Sequence, residues 1–198
     1  MWNLARFAQT LLPLLAEGSE KALAGAEDAL GAFATIFRAA YLGGLRRKLG
    51  LTGEREGDAA LAQDLLTSMA ENHVDFTVCF RLLCAAVTST EGDATLRALF
   101  ADGSAYDAWA ARWHQRLASD SIDPDARSAG MRAVNPAYIP RNHLVEAALD
   151  AAVTRQDFAP FEQLLEVVSR PFEERSGCGR YAAPPAPEER VQQTFCGT

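Results

Sequence analysis

Apolar residues recur at helical spacing along almost the whole chain, and strict apolar–polar alternation appears nowhere, a pattern that selects an all-α fold. Leu4, Ala8, Leu11 and Leu15 form one stripe with Phe7 and Leu12 alongside. Gly18-Ser19 breaks the pattern. A long helix follows to about Leu49, carrying Leu23, Leu30, Phe33, Phe37, Tyr41 and Leu45 on one face. Burying that face would be worth on the order of 10 kcal/mol before entropy is counted. Gly50 to Gly57 reads as a loop. Asp58 then opens a helix with Leu61, Leu65, Leu66 and Met69, and Asp75 caps one with Phe76, Cys79, Phe80, Leu83 and Val87. Thr88 to Gly92 reads as a polar loop before a short helix from Ala94 to Phe100. Ser104 can cap a helix with Trp109, Trp113 and Leu117 on one stripe, and Asp123-Pro124 is a cap and first-turn pair for the next.

The pattern breaks most sharply at Asn135-Pro136-Ala137-Tyr138-Ile139-Pro140-Arg141-Asn142-His143. Each proline disfavours helix at the residue before it, so the stretch is an elbow between two helices. Pro140 suits the first turn of the helix carrying Leu144, Ala148, Leu149 and Ala152. Asp157 caps a last helix with Phe158, Phe161, Leu165 and Val168, which Pro171 stops. The reading is an irregular bundle of about eight or nine helices over 1–171, then an extended tail over 172–198 marked by Pro184-Pro185-Ala186-Pro187.

Composition narrows function mainly by exclusion. A chain of 198 residues can close a core without disulfides or a metal staple. Its net charge of −7 argues against a nucleic-acid footprint. The densest basic run, Arg46-Arg47-Lys48, falls where it would complement a helix dipole. No apolar run reaches the length of a membrane span, and no basic, cleavable leader precedes the first helix, so the expected setting is the cytoplasm. The apolar stripe begins almost at Met1 without a capping residue, which fits a piece of a larger protein.

The chemistry-bearing residues are sparse. His143 with Glu146, and Glu71 with His73, are the nearest thing to metal-ligand spacing. A carboxylate-bridged bundle needs Glu-x-x-His on two helices, which neither pair supplies. A metal-binding helical bundle is therefore the weakest reading. There is no glycine-rich phosphate loop, no Gly-x-Ser-x-Gly and no Cys-x-x-Cys. Cys79 and Cys84 read as core, whereas Cys178 and Cys196 lie in the tail, where a thiol is accessible, which is half of what redox reactivity requires. Arg141 and Asn142 could bind a phosphate or carboxylate, or simply cap backbone around two prolines.

Several segments, in order along the chain, resemble the C-terminal part of the selenoprotein O family of protein adenylyltransferases. They are Trp2-Asn3-Leu4 with Leu11-Leu12-Pro13-Leu14, Leu45-Arg46-Arg47-Lys48-Leu49-Gly50, Asp58 with Leu65-Leu66, and Val74-Asp75-Phe76-Thr77 with Phe80-Arg81. The most specific are Met131-Arg132-Ala133-Val134-Asn135-Pro136-Ala137-Tyr138-Ile139-Pro140-Arg141-Asn142, Phe161-Glu162-Gln163-Leu164-Leu165 running to Arg170-Pro171-Phe172, and the ending Thr194-Phe195-Cys196-Gly197-Thr198. The resemblance implies a kinase-like (pseudokinase) fold of which this is the C-terminal helical part. It implies transfer of AMP from ATP, with Mg or Mn, to hydroxyl side chains of protein substrates.

The catalytic and nucleotide-binding residues of that family belong to the kinase-like core, and none has a counterpart here. By resemblance, then, this chain binds no cofactor, is inactive alone, and packs on the N-terminal core of the same protein. Cys196 resembles the family's terminal redox residue, which is thought to pair with a cysteine of the activation-loop region. The rival expectation is a free-standing helical interaction module. The two differ in what they leave bare: a fragment exposes apolar surface, chiefly along Leu4 to Leu15 and Trp109 to Leu117, and a module does not.

Overall fold

The computed structural model describes residues 1–191 and 193, and among them all regular structure is helical. There are ten α-helices: α1 (Trp2–Leu15), α2 (Ser19–Lys48), α3 (Asp58–Glu71), α4 (Phe76–Ala86), α5 (Thr90–Arg97), α6 (Gly103–Ala118), α7 (Pro124–Arg132), α8 (Asn142–Arg155), α9 (Ala159–Val168) and α10 (Gly179–Ala182). A 3₁₀ turn, Pro187–Glu189, follows. The described part of the tail thus has two short turns, and the rest of it is without regular structure. The chain divides into two compact units, 1–45 and 46–198.

The first unit has almost no interior. No residue of α1 is buried, and in α2 only Ala22, Ala26 and Leu45 are. Of the six-residue face expected to be buried, Leu45 alone is; Leu23, Phe37 and Tyr41 are exposed. Trp2, Phe7, Leu14 and Leu15 of α1 are exposed as well. Phe33, Phe37 and Tyr41 stack on one another along α2, with centroids 5.6 and 5.9 Å apart. Two helices cannot cover each other's apolar faces completely, so this unit keeps large aromatic surface in water.

The second unit closes around a real core. Here α3 packs on α6, α4 on α5 and α7, and α8 on α9. Its centre holds Leu49, Leu65, Phe80, Leu83, Leu96, Tyr106, Trp113 and Met131, all almost wholly buried. The Trp109 and Trp113 indoles stack 5.4 Å apart, and their N–H groups donate to the carbonyls of Leu61 (2.9 Å) and Leu49 (3.0 Å). The Trp109 to Leu117 stripe is therefore core, not bare surface; of the two stripes expected to be uncovered, only α1 is.

Local signals place several helix starts. Asp75 accepts the Val78 N–H at 2.9 Å and Asp123 those of Asp125 and Ala126 at 3.0 Å. Other starts differ from expectation: Gly57 rather than Asp58 precedes α3, α8 begins at Asn142, beyond Pro140, and Phe158 rather than Asp157 precedes α9. Ser89 caps α5 through the Gly92 N–H, so residues 90–92 of the expected loop are already helix. Gly92 is there for packing: a Cβ on it would lie 2.6 Å from the Ala85 carbonyl. Asp102, rather than Ser104, caps α6.

Candidate functional site

Polar side chains converge at the elbow, residues 135–141. Asn135, fully buried, donates through Nδ2 to the Lys48 carbonyl (2.9 Å), and its Oδ1 accepts from Lys48 Nζ (3.2 Å). Lys48 also donates to the Val134 carbonyl at 2.9 Å and lies 5.6 Å from the centre of the Phe80 ring. Burial pushes the Lys48 amine below its ordinary pKa, opposed by the neighbouring Cys84. Arg81 donates to the carbonyls of Arg132 (3.1 Å), Asn135 (2.8 Å) and Phe172 (3.2 Å), and pairs with Glu174 at 2.7 Å.

Arg141 finishes the elbow. Its guanidinium grips both oxygens of Asp75, at 2.9 and 3.0 Å, and donates to the Ala182 carbonyl at 2.7 Å. One buried side chain thereby fastens the α4 cap, the start of α8 and the end of α10. Burial opposes ionisation of Asp75, but the Arg141 pair and the Val78 N–H outweigh it and hold the carboxyl below its ordinary range. Arg141 thus holds a carboxylate of its own chain as well as backbone, while its buried Nε has no hydrogen-bond partner among the described residues.

A second polar network joins the loop after α2 to α6. Asp58, 2% exposed, accepts from Arg116 at 2.8 Å and from the Arg55 backbone N–H at 3.0 Å, and lies 3.4 Å from Arg46. Asp120 accepts from Thr52 Oγ1 (2.7 Å), Arg116 (2.9 Å) and Arg55 (2.9 Å). Arg127, 6% exposed, donates to the carbonyls of Gly50 and Leu117. Gly50 has φ +69°, and a Cβ there would meet Met131 Sδ at 2.6 Å. In the basic run, Arg46 pairs with Glu54 and Asp58 and Lys48 bonds the elbow, so both make tertiary contacts beyond any effect on the helix dipole.

Burial opposes ionisation of Asp120, but its hydrogen bonds from Thr52 and Arg116 pull the carboxyl down to about 2, from an ordinary 3.8. A depressed carboxylate stabilises the fold above its unfolded pKa and loses that contribution as pH falls through the folded value. The stability gap between the wild type and Asp120→Asn should therefore be constant above about pH 5 and shrink toward pH 2, as read by urea denaturation across that range. A gap that widens with acid would contradict this arrangement.

The cysteines separate by surroundings. Cys79 and Cys84 are buried. Burial, with Asp75 adding to it, pushes the Cys79 thiol up to about 12, and burial raises Cys84 against the opposing Asn135 hydrogen bond and Arg81 charge. Neither is a thiolate at neutral pH. Cys178 is partly exposed beside the Tyr138–Tyr181 cluster. Cys196, the residue singled out for redox chemistry, lies outside the described residues.

No three His, Cys, Asp or Glu side chains converge as metal ligands among the described residues. His73 is the left-handed residue that ends α3, and Glu146 is exposed on α8. Of the buried or half-buried carboxylates, Asp58, Asp75 and Asp120 are each held by arginine, and Asp93 accepts from the Tyr106 hydroxyl. The described residues thus do not fit a magnesium nucleotide. Nor is any described helix long and apolar enough to cross a membrane. The crevices include one of about 280 Å³ beside α7, lined by Leu51, Ile122 and Met131 with Arg47 and Arg127, a wholly apolar groove of about 200 Å³ on α8 and α9, and two of about 430 and 440 Å³ that flank the elbow at Arg141 and His143 and at Asp75.

Sequence reasoning found Asp75, Asn135 and Arg141 as parts of the elbow and its flanking cap. It missed Lys48, Arg81, Arg116 and Arg127 as long-range anchors, because nothing local marks a lysine or arginine whose carbonyl partner lies 51 to 91 positions away.

Comparison with known proteins extends this picture. A family model described as protein adenylyltransferase SelO matches residues 1–169. The protein nucleotidyltransferase YdiU of Nitrobacter winogradskyi is 54% identical over 198 residues, covering all of this chain and 39% of the relative. Those of Rhodopseudomonas palustris (strain BisB5) and Methylorubrum extorquens (strain PA1) are each 52% identical, over all of this chain and 40% and 41% of theirs. The chain spans about two-fifths of the length of these curated relatives. Matched over most of its length by one family model, and at half identity or better by these relatives, the chain belongs to the SelO family of protein adenylyltransferases.

Proposed function

We propose that this chain is the helical C-terminal portion of a cytoplasmic protein adenylyltransferase, which moves AMP from ATP, with Mg or Mn, to Ser, Thr or Tyr hydroxyls of protein substrates. The kinase-like core that binds ATP and metal belongs to the remaining three-fifths of the relatives' length. In this reading the chain alone is inactive, and the helices of 1–45 pack on that core. The carrying observation is the exposed aromatic surface of that unit, Phe7, Phe37 and Tyr41 above all, in a chain covering 39% of its relative. Phosphoryl-type chemistry needs metal and charge clamps, which the described residues do not assemble. Cys196 serves as a regulatory thiol. It and a core cysteine give two electrons and two protons to a cellular oxidant such as a peroxide and join as a disulfide, which thiols reopen.

The test is reconstitution. Purified alone with ATP, Mg and acceptor proteins, the chain should transfer no AMP. Mixed with the core of a full-length relative, it should restore transfer, and Phe37→Glu should lower that restoration at least about tenfold. In the intact polypeptide, Cys196→Ser should abolish the response to peroxide. AMP transfer by the chain alone, or restoration indifferent to Phe37→Glu, would overturn the reading. A free-standing interaction module is the second reading, favoured by the closed core of 46–198. It predicts a stable monomer that never binds the core.

A further inference from the structure

The α8–α9 hairpin carries more apolar surface than its own fold covers. On the inner face Ala148, Ala151, Leu164 and Val167 are buried, and Leu164 and Val167 join Ala137, Tyr138 and Tyr181 in a compact cluster. The outer side carries Leu149 (51% exposed), Phe161 (49%) and Leu165 (51%), which line the wholly apolar groove with Pro140, Val145 and Val168 and with Ala148 and Leu164 from the buried side. Val153, one turn beyond Leu149, continues the stripe and is 81% exposed. A helix with apolar surface left uncovered is one that expects a second cover.

The rim says what kind. Glu146 is three residues before Leu149 on α8, and Glu162 three before Leu165 on α9, so both stand beside the groove by helical register. Neither has a cationic partner among the described residues. Asp150, next to Leu149, shares Arg155 at 3.2 Å across a pair that is 60% exposed on both sides. The charge surplus along the groove is negative. A second copy of this chain would bring two acidic rims together. A helix with apolar residues on one stripe and lysines or arginines flanking it would complement both floor and rim. From Val145 to Val153 the floor runs about 12 Å, enough for two turns of such a helix.

We propose that the α8–α9 groove is a docking site for a basic amphipathic helix of a partner protein. The apolar stripe seats on Leu149, Phe161 and Leu165, and Glu146 and Glu162 set its orientation. This does not depend on the adenylyltransferase reading, which uses the helices of 1–45, so either can fail without the other.

The direct test is fluorescence anisotropy with three labelled peptides of about five helical turns. One has leucines on a single stripe and lysines elsewhere, one the same composition scrambled, and one glutamates for the lysines. The chain should bind the first, with at least about tenfold preference over each of the others. Leu149→Glu with Leu165→Glu should remove that binding at unchanged helical content. Glu146→Lys with Glu162→Lys, exposed changes that leave the buried residues intact, should shift the preference toward the glutamate peptide. Equal binding of the scrambled peptide, or binding that survives both double variants, would overturn the proposal. So would a doubled mass in light scattering that Leu149→Glu reverses, which would make a second copy the occupant. The measurement is repeated on a full-length relative; loss of binding there would mean that its additional region covers the groove, and would overturn the proposal equally.

Discussion

Trp113→Ala is expected to destabilise the chain by about 5 kcal/mol, a large part of the 5–15 kcal/mol that holds a typical domain together. Truncating a fully buried tryptophan ordinarily costs about 3–5 kcal/mol through lost transfer energy and the cavity it leaves. Trp113 has no exposure, stacks on Trp109 and contacts the His114 ring at 4.8 Å. Its N–H is also the partner of the Leu49 carbonyl, so the substitution leaves a buried acceptor unsatisfied as well. Urea denaturation followed by circular dichroism measures the loss. Trp113→Phe separates the parts: it keeps most of the packing, removes only the N–H, and should cost about 1–3 kcal/mol. A loss below about 2 kcal/mol for the alanine variant would show that the α3–α6 layer can collapse around the gap.

Asp75→Ala is expected to cost about 3–4 kcal/mol, since one carboxylate performs two tasks. It caps α4 through the Val78 N–H, worth about 1 kcal/mol. It also neutralises Arg141, whose side chain is 5% exposed. Removing one member of a buried pair strands the other, at about 3–5 kcal/mol for a fully buried case. Asp75 is 26% exposed, which places the pair at the low end. The double variant Asp75→Ala with Arg141→Met should be less damaging than the sum of the two single changes, because no uncompensated charge then remains. Thermal unfolding of all four proteins closes the cycle, and strict additivity would mean that the pair contributes nothing as a pair.

Local features of the fold were legible in the sequence. Pro136 and Pro140 mark the elbow because their effect on the preceding residue is steric and immediate. Asp75 and Asp123 mark helix starts because a short side chain reaches its own backbone. The tryptophans were legible as one stripe of α6, though not their carbonyl partners on α3 and at Leu49. What stayed hidden was of two kinds. Asp58 looked like a plain N-cap, yet its carboxylate is buried against Arg116, 58 positions away, a pairing that no window of sequence reveals. Gly92 looked like a loop residue, yet it is glycine because Ala85 passes so close. The expectation that the Leu23 to Leu45 stripe is buried failed in a similar way. A helical period identifies a face that can be covered, but not whether the covering surface belongs to the same chain.

Arg81 has a consequence for how the second unit opens. Its guanidinium holds carbonyls from the end of α7, from Asn135 and from Phe172, and Glu174 closes over it. None of these segments can leave without the guanidinium giving up the others, so in hydrogen-exchange terms the α7 terminus, the elbow and the root of the tail form one cooperative opening unit. Amides that are distant in sequence should therefore share a single opening free energy, and Arg81→Lys, which keeps the charge but loses the planar fork, should split them into separately exchanging groups.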